Sequence, residues 1–199
     1  MIHQGLTPNN VSYNTLIHGF FQLGKLREAQ DLFKNMCTSG NLPDLFTYSI
    51  LLNGFCKQGY IGKAFRLFRA MQSTSLNPNL VMYRILVHAM CKSGNHKDAR
   101  KLFSELIVQG FQPHVQLYTT IINGLCKEGL LEEALKAFRN MEADGCPPDE
   151  ISYNVIIRGF LQHKHESMAL QLIREMRDRG FVADVGPCLS EVHQGKKVV

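Results

Sequence analysis

One position of the sequence changes its chemistry while its surroundings stay constant. The residue after a recurring tyrosine always has a hydrogen-bonding side chain, but the group differs from copy to copy: Asn14, Ser49, Arg84, Thr119 and Asn154. Amides, hydroxyls and a guanidinium present different donors and acceptors, so they can select different partners. A single polar residue early in an amphipathic helix usually only faces solvent. Five such residues in a constant frame favour a read-out position on a fixed scaffold.

Cysteine and histidine side chains could indicate a metal site or disulfides. Cys56, Cys91 and Cys126 occupy equivalent positions, and other copies have Phe21 and Leu161 there. A position that accepts Phe and Leu is an apolar packing position, which suits reduced cysteine. The other cysteines form no C-x-x-C pair, and the histidines of "HKHE" at 163–166 point to different sides of a helix. We therefore expect no metal and no cofactor.

The bulk properties exclude few classes of protein. The net charge of +5 permits an anionic partner without indicating one by itself. No apolar run approaches the roughly 18 residues that span a bilayer, so no membrane partner is expected. The start of the chain, "MIHQGLTPNN", resembles neither a signal peptide nor a transit sequence. We expect no targeting segment in this chain.

The frame around the variable position is an internal repeat of 35 residues. Tyrosine recurs at 13, 48, 83, 118 and 153, and alanine recurs at 29, 64, 99, 134 and 169. The spacing predicts a partial repeat at 1–9, a C-terminal cap or loose tail at 185–199, and between them five complete repeats: 10–44, 45–79, 80–114, 115–149 and 150–184. Because the chain begins inside a repeat, it is expected to be part of a longer array.

Each repeat is predicted to form two short helices. In repeat 1 (10–44), apolar residues recur at helical spacing from Tyr13 to Phe21, Gly24 ends the helix, and a second apolar stripe runs from Leu26 to Met36. One such pair cannot bury its own stripe, so neighbouring pairs must stack. The predicted fold is an all-α, right-handed solenoid superhelix of stacked helix-turn-helix repeats, whose first helices line the concave side.

The pattern xVxYNxLIxGxCKxGxxxxAxxLFxxMxxxGxxPD, found without gaps over 10–184, resembles the pentatricopeptide repeat (PPR) family. The uniform length resembles the P-type subclass, and openings such as "ISYNVIIRGF" resemble plant organellar, restorer-of-fertility-like members. The resemblance implies sequence-specific binding of single-stranded RNA, at about one base per repeat. It also implies a monomer in an organelle, the mitochondrion ahead of the chloroplast, that acts in RNA processing, stability or translation beside other RNA-processing proteins.

The resemblance assigns base reading to the fifth and last places of each repeat. The pairs are Asn14 with Asp44, Ser49 with Asn79, Arg84 with His114, Thr119 with Asp149, and Asn154 with Asp184. By the family's code they predict the footprint 5′-U-A-N-G-U-3′, where the pair in repeat 3 (80–114) has no translation. A carboxylate can accept the N1–H and N2–H donors of guanine, and an amide matches the donor and acceptor of adenine.

Two further rows of residues recur at 35-residue intervals, and the resemblance assigns a role to the first of them. The second place is expected to sandwich bases between repeats, with Val11, Phe46, Val81, Gln116 and Ile151; the polar Gln116 should weaken this packing. Lys57, Lys92 and Lys127 share another place and could contact phosphates. An alternative for these lysines is that they complement the helix dipole.

Two other functions were considered. A tetratricopeptide-type scaffold for protein partners is the main alternative, but that family uses 34-residue repeats with a Trp, and this chain has no Trp. A deaminase needs H-x-E with P-C-x-x-C, and a metal nuclease needs clustered carboxylates. Neither pattern is found, and the tail is too short for such a domain, so the chain is predicted not to be an enzyme.

Overall fold

The computed structural model describes residues 8–72 and 76–182, and in these ranges every regular element is an α-helix. The first helices of successive repeats begin at residues 10, 45, 80, 115 and 150. In chain order the helices are α1 (Asn10–Gln22), α2 (Leu26–Thr38), α3 (Leu45–Lys57), α4 (Ile61–Gln72), α5 (Leu80–Lys92), α6 (His96–Val108), α7 (Val115–Lys127), α8 (Leu131–Ala143), α9 (Glu150–Gln162) and α10 (Glu166–Asp178). The predicted all-α fold of helical pairs is confirmed. No helix in the described ranges is long and apolar enough to cross a membrane.

Glycine allows the sharp turn inside most repeats. Gly24, Gly59, Gly94 and Gly129 have φ between 71° and 81°, a left-handed conformation that side chains with a Cβ disfavour. Repeat 5 (150–184) has Lys164 at the same place with φ 62°, and it is the single non-glycine residue with positive φ in the described ranges. The backbone geometry of the turn is therefore kept even where the glycine is lost.

The chain divides into two compact units, Met1–Met90 and Cys91–Val199. In the first unit, α1 packs against α2 and α3, and α3 packs against α4. The ring of Phe68 meets Tyr83 of the next repeat edge to face, with centroids 5.0 Å apart. Recurrence of the tyrosine thus follows from an aromatic contact between neighbouring repeats.

The second unit repeats this arrangement. Here α7 packs against α8 and α9, and α9 packs against α10. The same aromatic pair joins Phe103 to Tyr118 at 5.1 Å and Phe138 to Tyr153 at 4.9 Å. The recurring alanines are fully buried in both units, where a larger side chain would separate the packed helices: Ala29, Ala64, Ala99, Ala134 and Ala169.

The tenth place of a first helix contacts the preceding repeat closely. A Cβ added to Gly54 would lie 2.4 Å from the ring of Phe21, and one added to Gly159 would lie 2.3 Å from the Sγ of Cys126. Both partners occupy the twelfth place of their own repeat. A small residue at the tenth place therefore allows the first helices of neighbouring repeats to pack side by side.

Some predicted features lie outside the described residues. These are most of the partial repeat at 1–9, the tail at 185–199, and the predicted base reader Asp184.

Candidate functional site

A groove of about 500 Å³ lies on the first helices of the first unit. It brings together the three fifth-place residues Asn14, Ser49 and Arg84, one from each of three successive repeats. The second-place residues Phe46 and Val81 also line it. The remaining lining residues are Thr15, His18, Ile50, Asn53 and Ile85. The fifth-place row and the second-place row, whose members recur every 35 residues in the sequence, thus share one surface.

The second-place side chains are apolar yet face solvent. Phe46 is 64% exposed and Val81 is 43% exposed, and Val11 and Ile151 at equivalent places are exposed to a similar or greater degree. Gln116, the predicted departure, is exposed as well. Exposed apolar side chains that recur once per repeat offer flat surfaces on which a planar group can stack.

Asn14 is the most buried of the fifth-place residues. Its side chain is 4% exposed, and its Oδ1 is a buried acceptor with no hydrogen-bond partner among the described residues. Leaving a buried acceptor unpaired costs about 1–3 kcal/mol. Asn14 lines the groove, but its Oδ1 has almost no accessible surface, so a ligand can hydrogen-bond to it only after the side chain turns toward the groove.

The next two fifth-place residues in the groove, Ser49 and Arg84, differ in their hydrogen bonds. The Ser49 hydroxyl donates to the Leu45 carbonyl at 2.8 Å, so its oxygen is left as an acceptor. Arg84 is exposed and makes no hydrogen bond or ion pair to the described residues. The groove thus runs from a buried amide, past a hydroxyl, to an exposed cation.

Last-place residues form the N-caps of the next repeat's first helix. Asp44 Oδ1 accepts hydrogen bonds from the Thr47 backbone N–H at 2.7 Å and from the Thr47 hydroxyl at 2.8 Å. Asn79 Oδ1 accepts from the Met82 N–H at 3.2 Å. Partial burial raises the pKa of Asp44, but the hydrogen bonds from Thr47 and neighbouring backbone outweigh it and lower that pKa below its usual value. These residues therefore have a structural role that sequence reasoning missed, although an Asp or Asn three residues before the helical stripe is an N-cap signal.

In the second unit, the two predicted base readers of repeat 4 (115–149), Thr119 and Asp149, are connected through Ser152. Asp149 Oδ1 accepts from the Ser152 N–H at 2.8 Å and from the Ser152 hydroxyl at 2.6 Å. The Ser152 oxygen also lies 3.1 Å from Thr119 Oγ1, which donates to the Val115 carbonyl at 2.8 Å. Asp149 Oδ2 makes no hydrogen bond to a described residue. The carboxylate thus has one oxygen held by the fold and one available to a ligand.

The other predicted site residues are placed as follows. Asn154 is half-buried on α9, and His114 is exposed at the N-cap of α7 without a side-chain capping bond. Lys57, Lys92 and Lys127 are all exposed in the last turn of a first helix. That position is suitable both for interaction with the helix dipole and for contact with an anion.

The cysteines at the twelfth place are packing residues, as predicted. Burial raises the pKa of Cys56 to about 12 and is the main reason that the pKa of Cys91 and of Cys126 rises to about 11. Such thiols stay protonated near neutral pH, so they are weak nucleophiles and weak metal ligands. Within the described ranges, no three His, Cys, Asp or Glu side chains form a group that could hold a metal ion.

Comparison with known families gives matches over most of the chain. A model described as the PPR repeat family matches residues 8–57, 50–92 and 113–162, and one described as the PPR repeat matches 81–111 and 151–181. No curated protein matches the sequence.

Solved structures with the same fold include proteins that bind RNA. The maize pentatricopeptide repeat protein PPR10 is 24% identical with a TM-score of 0.79 over 88% of this chain, which spans 25% of the PPR10 chain. PPR10 in complex with an 18-nt psaJ RNA element is matched with a TM-score of 0.69 over 89% of this chain and 26% of that one, at 24% identity. The PPR domain of Arabidopsis thaliana protein-only RNase P 1 in complex with tRNA is 16% identical with a TM-score of 0.75, over 92% of this chain and 96% of that domain. At these identities the likeness shows the fold.

Proposed function

Because the chain belongs to the PPR repeat family, we propose that it binds single-stranded RNA through the first helices of its repeats, at about one base per repeat. The proposed footprint is 5′-U-A-N-G-U-3′, and the proposed role is binding without catalysis. The chain spans about a quarter of the PPR10 chain, which has been crystallised with RNA. We further propose that it acts as a monomer.

The observation that carries the proposal is the groove. It places three fifth-place readers and two exposed second-place apolar side chains on one surface, with a volume of about 500 Å³. Pockets for small organic groups have volumes of about 300–1,000 Å³. A base that stacks on Phe46 or Val81 would place its polar edge toward the readers, and stacking on an aromatic ring contributes about 1–3 kcal/mol per base.

The unpaired acceptor of Asn14 supports uracil at the first base. The N3 of uracil carries a hydrogen and donates, while the N3 of cytosine is an acceptor. The buried Oδ1 of Asn14 has no donor among the described residues, so a base that donates to it once the side chain turns toward the groove would satisfy it. A base that presents a second acceptor would leave both groups unpaired, which is costly in a buried site.

The helix-capping hydrogen bonds of Asn79 and Asp149 likewise support the proposed preferences for adenine at the second base and guanine at the fourth base. Asn79 uses Oδ1 for the cap, so its amide NH₂ is left to donate to the N1 of adenine. Asp149 uses Oδ1 for the cap, so Oδ2 is left to accept the N1–H and N2–H of guanine. In each case the helix cap orients the group that would meet the base.

The exposed lysines support an anionic backbone along the same helices. Each phosphate contact on a single strand makes the affinity fall with salt by a log–log slope of about 0.7. Replacing Lys57, Lys92 and Lys127 together by alanine should therefore lower the salt dependence of binding, without changing the base preferences.

The place of action is proposed from the sequence. Its resemblance to P-type, plant organellar, restorer-like proteins supports a role in organellar RNA processing, stability or translation, in the mitochondrion ahead of the chloroplast. Recovery of crosslinked RNA from purified mitochondria and chloroplasts would test this proposal. A protein crosslinked only to nuclear or cytosolic transcripts would contradict it.

Base selection can be tested with Asp149→Asn in the full chain. The variant exchanges a pure acceptor for an amide, so the fourth base preference should move from G toward A. The measurement is the dissociation constant for two RNAs that differ only in that base. We expect the ratio of affinities for the G and A RNAs to fall by roughly tenfold, about the effect of one charge-assisted hydrogen bond.

A matched control makes the same change of charge outside the groove. Asp31→Asn alters an exposed carboxylate of α2 that pairs with Lys34, so the G preference should stay as in the wild type. If both variants keep the wild-type ratio, Asp149 is not a base reader. If the wild type binds no RNA at all, the protein-scaffold alternative replaces this proposal.

A further inference from the structure

The third position of a repeat can hydrogen-bond to the last-place residue of the preceding repeat, and neither the family code nor the groove assigns this position a role. Thr47 and Ser152 occupy this place after Asp44 and Asp149, and both are fully buried polar residues. Met82 and Leu117, which are apolar and buried, occupy it after Asn79 and His114. Among these four repeat junctions, a hydroxyl is present where the last-place residue is a carboxylate.

Each hydroxyl binds the carboxylate oxygen that already caps the helix. The Ser152 hydroxyl donates to Asp149 Oδ1 at 2.6 Å beside the backbone N–H at 2.8 Å. Thr47 does the same to Asp44, at 2.8 Å and 2.7 Å. Two donors on one oxygen fix the plane of the carboxylate, whereas a single backbone N–H leaves it freer to rotate. The direction of the second oxygen, Oδ2, is then determined by the fold.

Ser152 also reaches the other reader of the repeat. Its single hydrogen goes to the charged Asp149 oxygen, which is its shortest contact at 2.6 Å. Its oxygen, 3.1 Å from Thr119 Oγ1, can then accept the Thr119 hydrogen or leave it with the Val115 carbonyl. One buried hydroxyl therefore links the fifth-place and last-place side chains of repeat 4.

We infer that Ser152 and Thr47 are positioning residues that determine how strictly the preceding repeat selects its base. The inference rests on the proposed RNA-binding function. Repeats 1 and 4, whose carboxylates are held by a hydroxyl, should discriminate strongly among bases. Repeats 2 (45–79) and 3, followed by Met82 and Leu117, should tolerate substitutions of their bases more readily.

The test compares Ser152→Ala with Ser152→Thr in the full chain. Alanine removes the hydroxyl and keeps the backbone N–H cap, whereas threonine retains the hydroxyl. For Ser152→Ala we expect the ratio of affinities for RNAs with G and A at the fourth base to fall roughly three- to tenfold, as expected for loss of one orienting hydrogen bond. Ser152→Thr should restore the wild-type ratio. Selection of the first base should not change in either variant.

Ser12→Ala serves as the matched control, because Ser12 binds Asn9, which precedes the first complete repeat. It should leave the fourth-base ratio at the wild-type value. A purely structural role for Ser152 would lower the melting temperature and weaken binding to both RNAs equally, and that result would overturn the inference. An unchanged ratio in Ser152→Ala, together with a changed ratio in Asp149→Asn, would overturn it while the proposed function stands. A wild type that does not distinguish G from A would overturn both.

Discussion

Replacing Gly54 by alanine tests how closely the first helices of neighbouring repeats, α1 and α3, pack against each other. The added Cβ would lie 2.4–2.5 Å from three atoms of the Phe21 ring, whereas carbon atoms normally approach to about 3.5–4.0 Å. Phe21 is buried and packs edge to face on Phe55 at 5.5 Å, so its ring has little room to move. Overpacking of this kind typically costs about 1–3 kcal/mol of unfolding free energy.

The chain contains its own control for this substitution. Gly19 occupies the same place of α1, and no described atom lies within 4 Å of the Cβ it would gain. Replacing a helical glycine by alanine contributes about 1 kcal/mol through helix propensity alone, and this gain is common to both variants. We therefore expect Gly19→Ala to stabilise the protein by about 1 kcal/mol, and Gly54→Ala to be less stable than Gly19→Ala by about 1–3 kcal/mol.

Urea unfolding followed by circular dichroism at 222 nm gives the difference directly. Equal midpoints for Gly19→Ala and Gly54→Ala would refute the close packing of α1 on α3. The proposed base readers on those helices, Asn14 and Ser49, would then lack the spacing that the groove implies.

Three further predictions concern stability. Lys164→Gly should raise the free energy of unfolding by about 0.5–1 kcal/mol, because Lys164 has φ 62° and glycine adopts this conformation without strain; an unchanged urea midpoint would contradict this. Ala99→Leu should lower stability by about 1–3 kcal/mol, since Ala99 is fully buried; an unchanged melting temperature would count against its packing role. Asp44→Ala should cost about 0.5–2 kcal/mol near pH 7. Because folding lowers the pKa of Asp44 below 3.8, this contribution is present above that value and is lost as the pH falls through the folded pKa. The difference in urea midpoint between wild type and variant should therefore shrink between about pH 5 and pH 2, and a constant difference would exclude the carboxylate as its source.

The sequence predicts the helices well because their signals are local. Apolar spacing and Gly24 together predict that α1 ends and α2 begins near residue 24, and the structure has these ends at Gln22 and Leu26. The assignment of Cys56 to apolar packing also needs only comparison of the copies. In both cases the relevant neighbours lie within one repeat or at the same place of the next.

The site is less predictable, because its geometry arises between repeats. The sequence indicates that Asn14 is polar and variable, but its burial depends on how neighbouring first helices pack. The capping role of Asp149 has a local signal, whereas the contact from Ser152 to Thr119 joins residues 33 positions apart. The positive φ of Lys164 is likewise visible only in the backbone.

The measurement that tests the central claim most directly is the affinity of the full chain for short single-stranded RNAs at about 0.15 M salt, where exposed charges are screened beyond about 8 Å. One RNA contains U-A-N-G-U, and its control contains the same bases in scrambled order. We predict that the first RNA binds at least roughly tenfold more tightly, since a mismatched base typically costs about 1–3 kcal/mol in sequence-specific nucleic-acid complexes. Equal affinity for the two RNAs would contradict sequence reading by these repeats.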